Sequence, residues 1–300
     1  MKIFLENVNL NSSSGPNSFA QKLIPRLQAK GHTINRPTDA DVALCFIETA
    51  NPYLGYPRIQ RMDGIYFNSA QPWEAQNQNI KRTYNMSEGI VFQSNFNKEL
   101  ITRYFGEHPN TTVIHNGANT DEIREILPVK FGINEHQYEN IWCCASSWRP
   151  HKRLDENIRY FLEHKGDKDL LVIAGDVAQK FQHPDIVYYG NLTQKQLYCL
   201  YVSSKYFLHL AYLDHCPNVV VDARVSGCQI ICSSTGGTKE IAGLDAIVIE
   251  EEEWDWKPTK LYEPPKMDFN KKIKNKWDAD SIDIKFVADR YEKFMKEACK

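Results

Sequence analysis

The sequence predicts an α/β protein built from two domains. Short apolar runs alternate with segments of helical spacing, and loops that contain glycine or asparagine separate them. Such alternation is typical of strands and helices arranged around a mostly parallel sheet. The 300 residues suffice for two domains of this kind, since α/β domains commonly hold roughly 100–150 residues each.

Composition argues for a globular protein without a global affinity for polyanions. Apolar residues make up 42% of the chain and the formal net charge is −2, so neither disorder nor binding to nucleic acid or an anionic membrane is expected. The apolar run at the amino terminus is short and is broken by Glu6 and Asn7, unlike a secretory signal. No run approaches the roughly 20 apolar residues of a membrane span, so we predict a cytoplasmic protein without a transmembrane segment.

The eight cysteines lack the pattern of a disulfide framework or of a metal site. Most of them lie in apolar, strand-like runs, as small buried side chains would: Cys45, Cys143, Cys144, Cys228 and Cys232. We therefore predict reduced thiols and no bound metal.

The amino-terminal half predicts a nucleotide-binding-like domain, because a strand, a glycine-bearing loop and a helix follow one another at its start. The predicted strands lie at 2–8, 42–47 and 89–93, and the predicted helices at 19–30, 73–87 and 95–105. Ser94 is a suitable cap for the last of these helices. Gly15 lies in the first loop, where a glycine is most often a turn residue.

Two charged residues, Arg61 and Asp63, enter the end of another strand in this half. Burying either one without a partner would cost free energy, so they either pair with each other or line a cleft. Further along, Asn116 and Gly117 predict a tight turn near the passage into the second domain. This turn serves either as a hinge or as part of a cleft floor.

The second domain is predicted to begin at about residue 134, after a polar linker. Its predicted strands lie at 140–145, 170–174 and 186–189, and its first two helices begin near 154 and 194. Arg149, Lys152 and Arg153 lie between the first of these strands and the first helix. A basic cluster at such a turn suits a diphosphate, although a solvated basic turn would have the same composition.

Residues 207–242 hold the most informative pattern of the chain. An apolar run, predicted as a strand, reaches Asp214; Pro217 allows a helix that Gly227 can end, and a further strand leads to a glycine pair. Asp214 precedes the helix and Asp222 lies about one turn into it, so both carboxylates can face a ligand over the helix start. Free backbone N–H groups at that start favour a phosphate. The alternative is one acid that caps the helix and one that is solvated on its surface.

This stretch resembles the Glu-x7-Glu region of retaining glycosyltransferases of family 4, which have the GT-B fold. The spacing of the two acids matches, as do Pro217, Gly227 and the later Gly-Gly-x-x-Glu that ends at Glu240. Both glutamate positions hold aspartate, Asp214 and Asp222. The segments VFQSNFNKELITRYFG and TTVIHNGANTDEI resemble two further elements of the family.

The basic cluster departs from the family's pattern in two ways. The family's arginine commonly lies five residues before its lysine, whereas Arg149 lies three before Lys152. Arg153 takes the place of the glycine that follows the lysine in the family.

The resemblance implies a GT-B fold, in which two Rossmann-like domains face each other across a cleft. Residues 1–133 would form the acceptor-side domain, and residues 134–280 the domain that binds the nucleotide sugar. The helical segment 281–300 would either cross back to complete the first domain or pack within the second.

The resemblance also implies a role for each candidate site residue. Asp214 would contact hydroxyls of the transferred sugar and Asp222 those of the ribose, while Arg149 and Lys152 would contact the diphosphate. Asp63 is the candidate for a cleft residue of the first domain. The remaining donor-binding candidates are the loop glycine Gly15, the cleft-floor residues Asn116 and Gly117, the base-pocket residues Tyr189, Gly190 and Leu192, and the helix start at Cys216, Pro217, Asn218 and Val219.

The expected function is that of a retaining, metal-independent hexosyltransferase. It would move a hexose, mannose as the first guess, from a nucleoside diphosphate sugar such as GDP-mannose or a UDP-hexose to a hydroxyl of a glycan or glycoconjugate. The donor is a substrate and no cofactor is expected; a homodimer is left open. The alternatives are a non-catalytic protein that binds sugar nucleotides or glycans, and a sugar-nucleotide epimerase of the same fold.

Overall fold

The computed structural model describes residues 1–51, 55–128, 137–279 and 281–300. Strands β1 to β13 span Lys2–Glu6, Thr33–Ile34, Val42–Phe46, Arg58–Met62, Gly89–Phe92, Thr111–Val113, Asn140–Ala145, Asp169–Ala174, Ile186–Gly190, Tyr206–His209, Gln229–Ser233, Ile247–Ile249 and Lys272–Lys274. Helices α1 to α9 span Gly15–Ala29, Trp73–Met86, Asn95–Phe105, Thr120–Arg124, Leu154–His164, Gln194–Val202, Asn218–Val225, Thr238–Ile241 and Ile284–Ala298. The predicted domain boundary between residues 133 and 134 lies outside the described residues.

The first sheet holds six parallel strands in the order β2-β1-β3-β4-β5-β6. All five residues of β3 are buried, because helices cover both faces of the sheet. This explains why β3 has a continuous apolar sequence instead of an alternating one. Helices α1 and α9 pack on one face, and α2 and α3 pack on the other.

The second sheet holds seven strands in the order β13-β12-β11-β10-β7-β8-β9. All neighbours run parallel except β13, which runs antiparallel to β12. Helices α6 and α7 pack on one face, and α5 packs on the other together with Met267 and Phe269. The strand β10, which leads to the acid pair, therefore lies near the middle of the sheet.

The two sheets meet at the carboxyl ends of their parallel strands. Ser94, which follows β5, donates its hydroxyl proton to the carbonyl of His215, at 2.9 Å. Asn116, which follows β6, donates its amide N–H to the carbonyl of Cys216, at 2.7 Å. Ligands of α/β proteins commonly bind at the carboxyl ends of parallel strands, so this boundary is where a functional site is expected.

The last helix, α9, packs on the first sheet. Its residues Val287 and Tyr291 share one apolar cluster with Phe19 and Leu23 of α1. The chain reaches this position by passing Gly117, where a Cβ atom would lie 2.8 Å from the Cα of Ile284. A glycine is required there because no side chain fits between the two backbones.

Residues 254–261, which we call the crossing segment, also leave the second sheet to contact the first domain. The ring centroids of Trp254 and Phe67 lie 4.9 Å apart, and those of Trp256 and Phe96 lie 5.4 Å apart. The backbone N–H of Thr259 donates to the carbonyl of Phe67, at 3.0 Å. Two separate parts of the carboxyl-terminal half thus cover the first domain.

Local predictions agree with the structure at several points and fail at others, since β1 ends at Glu6 and α1 already begins at Gly15. The predicted cap of α3 is confirmed, since the Ser94 hydroxyl accepts the N–H of Asn97 at 3.1 Å. The eight cysteines are free thiols, as expected. The strand predicted to reach Asp214 ends at His209, because sheet pairing stops at the pair His209–Cys232 although the following apolar residues remain buried. Among the described residues, no helix is long and apolar enough to cross a membrane.

Candidate functional site

Asp214 is the centre of the candidate site in the second domain. Its Oδ2 accepts hydrogen bonds from the Lys152 ammonium at 2.5 Å and from His209 Nε2 at 2.8 Å. Its Oδ1 accepts the backbone N–H of His215, at 3.0 Å. Lys152 comes from the turn before α5, and His209 is the last residue of β10. The carboxylate is therefore fully hydrogen-bonded within its own domain.

The charges around Asp214 keep it ionised. Burial would raise the pKa of this carboxyl, but the Lys152 ammonium and the hydrogen bond from His209 outweigh burial and hold the pKa well below its ordinary value. Burial also lowers the pKa of His209, so a neutral imidazole donates its Nε2 proton to Asp214. Burial next to Lys152 lowers the pKa of His151 to about 3, which keeps that ring neutral as well.

The basic cluster divides into one paired, one exposed and one buried cation. Arg149 begins the short turn Pro150–Lys152, its side chain is exposed, and no ion pair to it is present within the described ranges. Lys152 pairs with Asp214. The Arg153 guanidinium is buried and donates to Glu251 at 2.7 Å and to the carbonyl of Pro265 at 2.8 Å. Arg153 is therefore a structural residue and not a ligand-facing one.

The backbone of Arg153 explains why this position accepts few residue types. Its φ of 50° and ψ of 54° lie in the left-handed region, which favours glycine. A glycine is what the family resemblance leads one to expect here. The ion pair with Glu251 and the packing of the guanidinium over Tyr212 hold an arginine in this conformation instead.

Asp222 has a different kind of partner from Asp214. It lies one turn into α7 and is 4% exposed. The ammonium of Lys22, on α1 of the first domain, lies 2.7 Å from each of its two carboxylate oxygens. Burial raises the pKa of Asp222 even though Lys22 opposes that shift. The acid predicted to hold a ribose is thus bound to the opposite domain.

A cavity of about 360 Å³ lies beside the Lys22–Asp222 pair, between the first domain and α6. Gln194, in the first turn of α6, donates to the hydroxyl of Tyr198 at 2.7 Å. The cavity is lined by Gln21, Lys22, Pro25, Arg26, Asn119, Glu122, Gln194 and Tyr198. Most of these residues carry polar side chains, and they come from both halves of the chain.

Asp63 forms an ion pair with Arg61, which is one of the two arrangements predicted for these residues. Arg61 donates to its Oδ1, which also accepts Gln93 Nε2 at 2.7 Å. Arg61 further donates to the amide oxygen of Asn116, at 2.7 Å. The Oδ2 atom of Asp63 is buried and has no hydrogen-bond partner among the described residues, and burial raises the pKa of this carboxyl. The pair lies at the boundary between the domains, since Asn116 contacts Cys216.

The glycine pair after β11 allows the backbone to approach Asp214 closely. A Cβ atom on Gly237 would lie 2.1 Å from the carbonyl oxygen of His215, and one on Gly236 would lie 2.5 Å from that of Asp214. The N–H of Gly237 donates to the Asp214 carbonyl, at 2.7 Å. Side chains at these two positions would displace the loop that carries Asp214.

Glu240, three residues later, connects the domains. Its carboxylate accepts the backbone N–H groups of Asn95 and Phe96 at 2.7 and 2.8 Å, in the first turn of α3. His115 Nε2 lies 3.2 Å from the same carboxylate. Burial opposes ionisation, but these hydrogen bonds outweigh it and lower the pKa of Glu240. The last residue of the Gly-Gly-x-x-Glu motif thus caps a helix of the other domain.

The remaining predicted donor-binding residues lie around the start of α7 and at the end of β9. Gly15, predicted to lie in a loop, is instead the first residue of α1. Asn218, the first residue of α7, donates to the carbonyl of Gly15 at 2.9 Å, so the start of α1 lies against the start of α7. Pro217 and Cys216 are buried and Val219 is half-buried; burial raises the pKa of the Cys216 thiol to about 12. Tyr189, Gly190 and Leu192 lie at the end of β9, three strands from β10, roughly 14 Å across the sheet.

Solved structures resemble the chain over nearly its whole length, whereas sequence comparisons find no match. No protein-family model matches the chain, and no curated protein sequence matches it either. Sucrose-phosphate synthase from Thermosynechococcus elongatus matches with a TM-score of 0.72 at 10% identity, over 99% of each chain. Anabaena HepE in complex with UDP-glucose matches with a TM-score of 0.63 at 10% identity, over 100% of this chain and 92% of HepE. WaaG, a glycosyltransferase involved in lipopolysaccharide biosynthesis, matches with a TM-score of 0.60 at 12% identity, over 99% and 93%.

The chain has the GT-B fold. Two mostly parallel sheets with helices on both faces account for it, and the prediction of this fold class is confirmed. At 10–12% identity the GT-B neighbours establish the fold alone, so the site is judged from its own geometry.

The GT-B arrangement brings together residues that the sequence did not connect. Three important partners were missed: Lys22, His209 and Glu240. Lys22 interrupts the apolar spacing of α1 and His209 ends an apolar strand, so a polar residue within a buried run was the available signal. Glu240 had been noted only as part of a motif. None of these signals identifies the residue with which Lys22, His209 or Glu240 pairs.

Proposed function

We propose that this chain is a retaining, metal-independent hexosyltransferase that uses a nucleoside diphosphate sugar. The observation that carries the proposal is the hydrogen-bonded group of Asp214, Lys152 and His209 beside the start of α7, at the boundary between two GT-B domains. In the reaction, the bond between the sugar and its phosphate oxygen breaks, and a bond to the acceptor oxygen forms. The acceptor hydroxyl gives its proton to the departing phosphate oxygen, and the nucleoside diphosphate leaves.

Charge neutralisation at the diphosphate is the first requirement of this reaction. Lys152 and the exposed Arg149 lie on the same turn, and the N–H groups at the start of α7 add partial positive charge. Preorganised donors of this kind stabilise a leaving group as its charge develops. These groups are all part of the protein, so the proposal needs no metal ion.

The two acids would divide the rest of the donor between them. Asp214, ionised and held from three sides, would accept hydrogen bonds from hydroxyls of the transferred hexose. Asp222 would accept the ribose hydroxyls, which requires the Lys22 ammonium to give up at least one of its two contacts. Tyr189, Gly190 and Leu192 would contact the base, and the loop at Gly15 would approach the phosphates.

The donor is proposed as a class, because several nucleotide sugars carry both a hexose and a diphosphate. HepE was solved with UDP-glucose, so a UDP-hexose is the donor that the comparison favours. GDP-mannose remains the first alternative, with a glycan or glycoconjugate hydroxyl as acceptor. Both donors would present a hexose to Asp214 and a diphosphate to Lys152.

The experiment combines binding with turnover. Calorimetric titration with UDP-glucose, UDP-galactose and GDP-mannose should reveal one donor that binds, and hydrolysis or transfer of that donor should follow. Lys152→Met should lower turnover roughly 100–1,000-fold, as the loss of a preorganised donor does elsewhere. Lys168→Met is the matched control, because Lys168 is exposed and pairs with Glu139 on the surface. Unchanged turnover in Lys152→Met would contradict the proposal.

A non-catalytic sugar-nucleotide-binding protein is the second candidate. The buried Lys22–Asp222 pair favours it, because that pair occupies the predicted ribose acid. Binding of a donor without hydrolysis or transfer would select this candidate. Conversion of one nucleotide sugar into another without an acceptor would instead select the epimerase.

A further inference from the structure

We propose that His209 is a positioning residue that holds Asp214 in place while Lys152 turns toward the donor diphosphate. This inference rests on the proposed function. The hydrogen bond from His209 Nε2 to Asp214 Oδ2, 2.8 Å long, is the observation from which it starts.

Lys152 and His209 donate to the same carboxylate oxygen but differ in how firmly they are held. Lys152 belongs to a single short turn, and its ammonium sits on a flexible four-carbon chain, 18% exposed. His209 ends a strand that is paired with β11 as far as His209 itself, and its side chain is 4% exposed. Groups on packed strands are located more accurately than groups on loops.

A bound diphosphate would change the Lys152–Asp214 contact. The diphosphate carries more negative charge than the carboxylate, so an ammonium that lies between the two is drawn away from Asp214. Asp214 would then keep two hydrogen bonds, one from His209 and one from the backbone N–H of His215. The second of these comes from the adjacent residue and moves with Asp214, so among the described residues only His209 ties the carboxylate to the sheet.

The short side chain of Asp214 makes this tie necessary. Hydrogen bonds to sugar hydroxyls require the acceptor oxygen to lie within about 0.5 Å of its productive position. An aspartate on a loop whose neighbour Leu213 has a φ of 54° depends on its hydrogen bonds to reach that position. His209 therefore sets where the sugar-binding carboxylate stands in the donor complex.

The test separates the sugar from the nucleotide part of the donor. His209→Phe keeps a planar ring and removes the N–H donor, whereas His209→Gln restores an N–H near the position of Nε2. Calorimetry would compare the nucleoside diphosphate sugar that the wild-type protein binds, UDP-glucose or GDP-mannose, with free UDP or GDP. Turnover of the same sugar would be measured in parallel.

We expect His209→Phe to lower kcat and the affinity for the nucleotide sugar by roughly 10–100-fold, the loss typical of a hydrogen bond to a charged group. Affinity for the free nucleoside diphosphate should stay within about twofold. His209→Gln should recover most of the loss. His164→Leu is the control, since His164 stacks on Tyr160 in the same domain without contacting Asp214.

Equal losses of affinity for the sugar nucleotide and for the free nucleotide would overturn the inference, as would a folded His209→Gln variant that recovers nothing. Should the phenylalanine variant fail to fold, His209→Leu takes its place in the same comparison. A wild-type protein that binds no nucleotide sugar would overturn the proposed function itself, and this inference with it.

Discussion

Asp214 and Asp222 lie eight residues apart in one chain segment, yet their surroundings are opposite. Asp214 accepts hydrogen bonds from Lys152 and His209 of its own domain, and its side chain is 13% exposed. Asp222 receives Lys22 from the other domain, and its side chain is 6% exposed. The pKa of the first carboxyl lies well below its ordinary value and that of the second lies above it.

The difference teaches which acid depends on the contact between the domains. The partners of Asp214 move with it, so its charge is compensated whether the domains are together or apart. The partner of Asp222 sits on α1, so separating the domains removes the only cation within hydrogen-bond reach of it among the described residues. Compensation of the Asp222 charge thus depends on the closeness of the two domains, and compensation of the Asp214 charge does not.

The largest expected effect comes from removing the partner across the boundary. Lys22→Met leaves Asp222 buried without a cation, and breaking such a pair from one side typically costs about 3–5 kcal/mol. Urea unfolding at neutral pH would measure the loss. The double variant Lys22→Met, Asp222→Leu should recover most of it, because an apolar pair of similar volume often replaces a buried ion pair without cost.

The same variant tests whether Lys22 and a ribose compete for Asp222. If they do, folded Lys22→Met protein should bind UDP or GDP more tightly than wild type, as measured by calorimetry. A stability loss below about 1 kcal/mol, the value of an exposed pair, would show that the contrast between the two acids is wrong.

A smaller effect is expected at Glu240, which also crosses the boundary but is held by backbone N–H groups and a histidine instead of an ammonium. Glu240→Gln removes the charge and one acceptor oxygen from the start of α3, so we expect a loss of about 1–3 kcal/mol in the free energy of unfolding. Glu99→Gln, which alters an exposed pair with Arg103 on α3 itself, should change stability by less than about 0.5 kcal/mol. Equal losses of stability in the two variants would mean that the Glu240 contact between the domains stabilises the protein no more than an exposed ion pair does.

The smallest expected effect is on the pH dependence of stability, which should have opposite signs for the two acids. Because the pKa of Asp214 is lowered in the folded state, the folded state binds fewer protons at this carboxyl than the unfolded state does. The stability that ionised Asp214 contributes is therefore present above pH 3.8 and is lost as the pH falls below 3.8. The stability difference between wild type and Asp214→Asn should therefore shrink as pH falls below 3.8. For Asp222, whose folded pKa is raised, the corresponding difference should change above pH 3.8, falling as pH rises. Unfolding curves of both variants from pH 2.5 to 7 would show whether the two windows differ.

Much of the fold could be predicted from the sequence because its signals are local. Ser94 caps α3 within one turn, Pro217 and Gly227 bracket α7, and the apolar run of β3 needs only the burial of both faces of a sheet. Such features depend on neighbours within a few residues, so spacing alone reveals them.

The partners of the site residues were decided only by the tertiary structure. Lys22 and Asp222 are 200 residues apart, and nothing in the spacing around either one indicates the other. Arg153 resembled a ligand-facing cation, but Glu251 and Pro265 from a distant segment turn it inward. Burial removes the water that would otherwise solvate each charge, so each buried charge of such a pair depends on its partner. The sequence by itself indicated candidate residues for a sugar-nucleotide site, and packing decided which partners hold those residues.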